Sequence, residues 1–387
     1  MTDKIAGFEI MAVDLPFRTT FRHAAKERST SESIFLKCLT ASGHCGFGET
    51  LPRAYVTGES RDESFEFLRE NVLPDLIGQG FSTMSDVIKY LDECDGQPPG
   101  NRPQDGKSRT ASWCAVDLAL LDGFGKAFRE PVNLSDVCMR APGTRYSAVV
   151  SGTRGWPLIK ALIKIRAFGF RQVKLKVDRN SHISIARRAR QFLGEKCDIR
   201  VDANMGWTQE VALDIISALS ELGIECFEQP LPRSDIAGAA YLVKNTRGLI
   251  MADESFHDRK SLETLIRSHA CNAVNVRLSK CGGLVASYAR CHEALLAGLA
   301  VQIGCQVGET SLLSAAQLTL ICGFQSIRYI EGAFGEHLLQ HDPCEPAIQF
   351  GYGGRAPIRP AGYGFGINFD EVYLKSVASR CEYVGHV

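Results

Sequence analysis

Neither sign of charge is in excess in this chain: Lys and Arg together number 44, as do Asp and Glu, so the net charge is zero at neutral pH. Without a basic face, nucleic acid is not an expected partner. No uninterrupted apolar run reaches the roughly 18 residues needed to span a bilayer, so no membrane partner is expected either. The opening Met1-Thr2-Asp3-Lys4-Ile5 lacks the basic-then-apolar layout of an export signal. Cysteine is plentiful at 14, yet no two are spaced Cys-x-x-Cys. The ligand spacing of a zinc site is therefore missing, and a chain of this length without an export signal is not expected to rest on disulfides. Several cysteines (Cys226, Cys305, Cys322) lie inside apolar runs, where a free thiol acts as a small hydrophobe. The expected compartment is a reducing cytoplasm.

What is present is a set of five short stretches, each with a charged residue at or near its end. They are Val173–Val177, Ile199–Asn204, Glu225–Pro230, Ile250–Ser255 and Val274–Gly283. From Lys176 to Asp202 is 26 residues, to Glu228 another 26, to Asp253 another 25 and to Lys280 another 27. A strand, a loop, a helix and a second loop use up about that many residues. Each charged group thus falls at the C-terminal end of a strand in a repeating β/α unit. In a closed barrel those ends converge on one mouth.

The expected fold class is α/β, a (β/α)8-type barrel with an α+β capping domain. Residues 1–140 show strands first (6–14, 32–49, with a turn at Ala41–His44) and helices afterwards (59–76, 82–94, 109–128), the pattern of a segregated module. Residues 141–340 alternate, with strands expected at 145–152, 171–177, 198–203, 224–229, 249–253, 273–279, 300–306 and 328–332 and helices between them. Residues 341–387, with the Gly- and Pro-rich stretch Gly351–Pro357, are expected to return over the first module.

The spacing of two in Lys174-Leu175-Lys176 puts both ammonium groups on one side of a strand. Two adjacent, partly buried cations depress each other's pKa, so one can be neutral and serve as a base. A guarded edge strand would carry Lys-x-Lys equally well. Asp202, Glu228 and Asp253, taken singly, could be helix N-caps or loop acids. Glu228 is harder to read that way, because Gln229-Pro230 continues extended. Together at one mouth, three carboxylates call for a hard divalent cation, Mg²⁺ first and Mn²⁺ second. A lysine on each side of such an ion suits removal of a proton from the carbon next to a carboxylate.

The ordered set Lys-x-Lys, Asp-x-Asn, Glu-Gln-Pro, Asp-Glu-Ser and Lys-x-Gly-Gly, with Gly46-Phe47-Gly48-Glu49 and the Ala-rich helix through Asp117 and Asp122 before it, resembles the enolase superfamily, in particular its muconate lactonizing enzyme subgroup. The use of a Lys or His base with Mg²⁺ is a known example of pKa tuning in that superfamily. The resemblance implies that Asp202, Glu228 and Asp253 bind Mg²⁺ and that Lys176 and Lys280 are the two acid/base groups. It implies that Lys174 contacts the substrate carboxylate and tunes Lys176, and that Asn204 supports the site from beyond Asp202. Specificity would come from the capping segments Phe17–His23, with Arg22 and His23, and Tyr55–Glu59, and from the ends of the seventh strand, Gln306–Thr310, and the eighth, where Glu331 could match the single Glu of the cycloisomerases. Dipeptide epimerases of the subgroup carry Asp-x-Asp there, and this chain has Ile330-Glu331-Gly332. The expected enzyme is an oligomeric isomerase acting on a small carboxylate through an enediolate, with muconate-like cycloisomerisation first. Racemisation or epimerisation of an amino-acid derivative is second and syn-dehydration third, and a metal-binding barrel without catalysis is the alternative of another class.

Overall fold

Strand alternation with one buried face builds the first layer. The computed structural model describes residues 2–23, 26–100, 107–135, 144–151, 154–177 and 182–385. Strands β1 (Asp3–His23), β2 (Lys26–Thr40) and β3 (Cys45–Thr50) form an antiparallel meander, and β4 (Gly80–Phe81) pairs with the start of β1. Phe8 opposes Cys38 and Ile10 opposes Leu36, all fully buried. Their neighbour is the helix Thr110–Phe128, in which every residue from Thr110 to Gly125 is buried. Two glycines in β3 let it come so close. A Cβ on Gly46 would stand 1.9 Å from Gly123 N, and one on Gly48 would stand 1.8 Å from Ala115 O. The Gly46-Phe47-Gly48 sequence is therefore a packing requirement, with Phe47 pointing to the other face.

The second layer is an eight-stranded parallel sheet in sequential order: β5 (Ala148–Val150), β6 (Gln172–Lys176), β7 (Asp198–Asp202), β8 (Cys226–Glu228), β9 (Leu249–Ala252), β10 (Ala273–Val276), β11 (Ala300–Ile303) and β12 (Tyr329–Ile330). Seven main helices, from Gly155–Ala167 to Ser311–Cys322, alternate with the strands as the sequence predicts. Across the seam, Ser147 N donates to Ile330 O at 2.7 Å. The ladder register aligns Lys176 with Asp202 and Asp202 with Glu228.

The tail corrects one expectation. Gly351–Pro357 does not lie over the cap; it packs on the first barrel unit, with Gly353 N donating to Phe168 O at 2.7 Å and Tyr146 N to Gly354 O at 2.6 Å. Positive φ at Gly353 (67°) and Gly354 (74°) makes this curl possible. β13 (Cys344–Glu345), before this stretch, pairs with β14 (Asn368–Phe369), after it. The rest of the tail does meet the cap: Val132 N donates to Gly364 O at 2.9 Å, Phe369 stacks on Phe47, and β15 (Ala378–Gly385) adds an edge strand beside β1. Among the described residues all cysteines are free, and no helix is long and apolar enough to cross a membrane.

Two acids of the cap serve helices of the barrel. Glu49 accepts from Thr310 N (3.1 Å) and Thr310 Oγ1 (2.6 Å), at the start of the helix Ser311–Cys322. Asp117 accepts from Leu284 N at 2.6 Å and Val285 N at 3.4 Å, at the start of the helix Leu284–Leu296. Burial outweighs these two donors and pushes the Asp117 carboxyl up to about 7. A folded-state pKa above the unfolded value means that the native protein holds the extra proton, so this group's contribution to stability falls as pH rises from about 4 to 7. Asp117→Asn should flatten that part of the stability curve, measured by urea unfolding across pH 4–8. A variant curve parallel to wild type would refute it.

Candidate active site

The interior of the barrel is polar where the strands end. Lys174, in the middle of β6, is 2 % exposed, and its Nζ lies 2.8 Å from Glu228 Oε1, 3.0 Å from Asp202 Oδ2 and 3.5 Å from Glu331 Oε2. Burial alone would lower its pKa, but Asp202, Glu228 and Glu331 together hold the ammonium well above its ordinary value. The sequence spacing places Lys174 and Lys176 on one side, as expected, and both approach Asp202 Oδ2, Lys176 at 3.7 Å. Three acids around Lys174 were not visible in that spacing. They keep it charged.

Lys280 departs from its expected place. β10 ends at Val276, and Lys280 stands on a one-turn helix, Leu278–Cys281, closed by Gly282 at φ 90°. Its Nζ donates to Asp253 O (2.8 Å), Asp253 Oδ1 (2.9 Å) and Asn275 O (2.7 Å), so all three N–H bonds are accepted. The turn carries the ammonium back toward β9. Asp253 is also gripped by Arg277, whose guanidinium lies 3.7 Å from Glu228 Oε1 and donates to Gln306 Oε1 at 3.1 Å. Burial would raise the Asp253 pKa, but Arg277 and Lys280 hold it well below the carboxylate range. For Glu228 burial wins over Lys174 and pushes the pKa up to about 7.

Asn204 lies beyond Asp202 in the left-handed region (φ 44°), and its backbone N–H donates to Asp202 Oδ1 at 2.9 Å. Gln229, also at positive φ (38°), ties two strand ends together. Its Oε1 accepts from Asp253 N (2.9 Å) and Ser255 N (3.1 Å), while its Nε2 donates to Leu231 O at 2.9 Å. That is the physical use of the Gln in Glu-Gln-Pro. Tyr55 is exposed on a turn of the cap. The backbones of Arg22 and His23 belong to β1, and their side chains lie outside the described residues.

Sequence reasoning passed over Arg200, Asn275, Arg277 and Gln302. Arg200 is fully buried on β7, pairs with Glu331, donates to Ser147 Oγ at 3.0 Å and stacks 4.4 Å from the Tyr329 ring. Asn275 Nδ2 and Gln302 Nε2 donate to the two oxygens of Glu228, at 2.9 and 3.3 Å. Their signal was available, since each is one polar residue inside an apolar strand (Ile-Arg-Val, Val-Asn-Val, Val-Gln-Ile). Burial would raise the Glu331 pKa, but Lys174 and Arg200 outweigh it and keep the carboxylate charged. Arg200→Met should therefore destabilise the fold by about 3–5 kcal/mol, the cost of breaking a buried pair. Adding Glu331→Gln should recover part of that loss in denaturant unfolding. Strictly additive losses would show that the pair does not exist.

The donor set fits a hard cation in chemistry. Asp202, Glu228 and Asp253 are fully buried oxygen donors, the first two at the ends of β7 and β8 and the third just beyond β9. Glu254 Oε2, next to Asp253, is a buried acceptor with no hydrogen-bond donor. As placed, cations stand among the acids, and among the described residues no three Asp, Glu, His or Cys groups surround one point.

A family model described as Enolase C-terminal domain-like matches residues 159–373. The N-succinyl-L-Arg/Lys racemase of Bacillus cereus is 29 % identical over 81 % of this chain and 82 % of its own. Its crystal structure superposes with a TM-score of 0.86, at 26 % identity, over 98 % of this chain and all of that one. The chloromuconate cycloisomerase of Cupriavidus pinatubonensis is 25 % identical over 95 % of this chain and 97 % of its own. A dipeptide epimerase from Cytophaga hutchinsonii, solved with Mg and the dipeptide D-Ala-L-Val, shares the fold at a TM-score of 0.83 and 23 % identity, covering 98 % of this chain and all of that one. The family match covers more than half the chain, and the relatives named are all isomerases. The chain therefore belongs to the enolase superfamily, among its mandelate racemase/muconate lactonizing enzyme-like members, and is an isomerase.

Proposed function

We propose that the enzyme inverts the α-carbon of an N-acylated amino acid by removing its proton on one face and delivering another proton to the opposite face. Two lysines, Lys176 on β6 and Lys280 beyond β10, stand on either side of the three strands β7, β8 and β9, at whose ends Asp202, Glu228 and Asp253 lie. That arrangement suits a base on one face and an acid on the other. The observation that carries the reading is the engagement of Glu331. Its two oxygens face Arg200 and Lys174, so the eighth strand has no acid left to hold a substrate ammonium. An acylated nitrogen needs no such partner, and the Bacillus cereus relative is named for an N-succinyl substrate.

On this reading Asp202, Glu228 and Asp253 would hold Mg²⁺, with Mn²⁺ second, and the ion supplies charge stabilisation to the substrate carboxylate as its α-proton leaves. The protein's own groups do the rest. Lys174 balances the charge of Asp202, Glu228 and Glu331, Asn275 and Gln302 orient Glu228, and Gln229 fixes the backbone on which Asp253 sits. A second reading, cycloisomerisation of a muconate-like diacid, is favoured by the single Glu331 and by similarity to the chloromuconate cycloisomerase over nearly the whole chain.

The test is a panel of N-acyl amino acids, free dipeptides and muconate-type diacids in D₂O with Mg²⁺. Deuterium in the inverted α-position of an N-acyl amino acid is expected. Lactone formation from a diacid, without inversion of any amino-acid derivative, would replace this reading with the second.

A further inference from the structure

The Lys280 turn shares one hydroxyl with the cap. Thr50 ends β3, and Leu51 begins the capping segment that leads to Tyr55 and Glu59. Thr50 Oγ1 donates its only hydrogen to Ala111 O at 2.6 Å, so the 3.0 Å contact between Thr50 Oγ1 and Ser279 Oγ takes its hydrogen from Ser279. Ser279 Oγ in turn accepts from Leu51 N at 2.9 Å. Thr50, Leu51, Ser279 and Lys280 are all fully buried. With one donor and one acceptor each accounted for, no water competes at this joint.

The rest of the turn is backed by the cap as well. A Cβ on Gly282 would stand 2.3 Å from Gly96 O, and one on Gly283 2.3 Å from Asp117 Cγ. Lys176 is held differently, on β6 between β5 and β7 within the barrel ladder. The cap thus bears directly on the element that carries one lysine, while the other lysine belongs to the sheet.

We propose that Ser279 is a positioning residue: its hydroxyl locks the Lys280 turn to the stem of the capping segment at Leu51, so that the setting of that segment governs proton transfer on the Lys280 face alone. This rests on the two-lysine reading above, and its test has one arm that does not.

In Ser279→Ala both hydrogen bonds are lost and Leu51 N–H is left without its acceptor. Exchange of the α-hydrogen facing Lys280 should fall about 10- to 100-fold, as a small misplacement of a reacting group does. Exchange on the Lys176 face should stay within about twofold, and Ser279→Thr, which keeps the hydroxyl, should restore much of the loss. Equal losses on both faces would overturn the proposal. The second arm is amide hydrogen exchange without substrate. Peptides covering 51–60 and 278–283 should lose protection together in Ser279→Ala, while 172–177 stays protected. Loss confined to one of the two segments, or spread over the whole chain, would overturn it. A wild-type protein that exchanges no α-hydrogen in any carboxylate would remove the racemase reading, and the amide measurement would then decide the joint alone.

Discussion

Replacing Lys280 with methionine is expected to stop inversion by about 10³-fold or more, the scale of a lost acid/base group, and yet to leave half of the chemistry running. The enantiomer whose α-hydrogen faces Lys176 should still exchange that hydrogen with D₂O, without turning over. Lys176→Met should give the mirror result, with exchange only in the other enantiomer. The structure makes the first variant a clean one. Asp253 keeps Arg277 as its partner when the ammonium of Lys280 is gone, so no carboxylate is left buried and alone. Melting temperature should therefore change little, and proton NMR of each enantiomer in D₂O reads the result. If one lysine can be replaced with a small loss, the cycloisomerase reading gains; if both variants stop exchange on both faces, the division of faces is wrong.

Glu228→Gln should have the second-largest effect. Glu228 is the central acid of the three, held by Lys174, Asn275 and Gln302. An amide in its place keeps the shape and removes the charge that a hard cation needs. Magnesium affinity, measured by calorimetry, should drop by at least about 100-fold, beyond what lost supporting contacts alone usually cost. The fold should persist, because the site sheds an acid that burial already disfavours as an anion. Unchanged affinity would remove Glu228 from the metal site.

The order of the elements was legible because each one advertises itself by period. Seven of the main barrel helices and all eight strands follow from alternating runs of about 25 residues, and the charged ends of those runs gave Lys174, Lys176, Asp202, Glu228, Asp253 and Lys280. The counter-ions were harder to see. Arg200 and Arg277 stand out as charges in apolar runs, but only the closed sheet shows that they meet Glu331 and Asp253. Pairing across eight strands is a property of the register, and no local pattern encodes it. The same holds for β15, whose residues are only half-buried at the sheet edge and so show no apolar alternation to betray the strand. The expected strand overran the observed one by three residues because Arg277-Leu278-Ser279 keeps a strand-like rhythm up to the glycines.

The acids of the mouth arrive with their own neutralising cations, Lys174, Arg277 and Lys280, built into the same strands and turns. On the proposed reading, manufacture of this protein is thereby separated from its supply of ions: a chain made where magnesium is scarce should fold to the same barrel, and a chelator should empty it without unfolding it. Small zinc domains live under the opposite constraint, since for them the ion is the core.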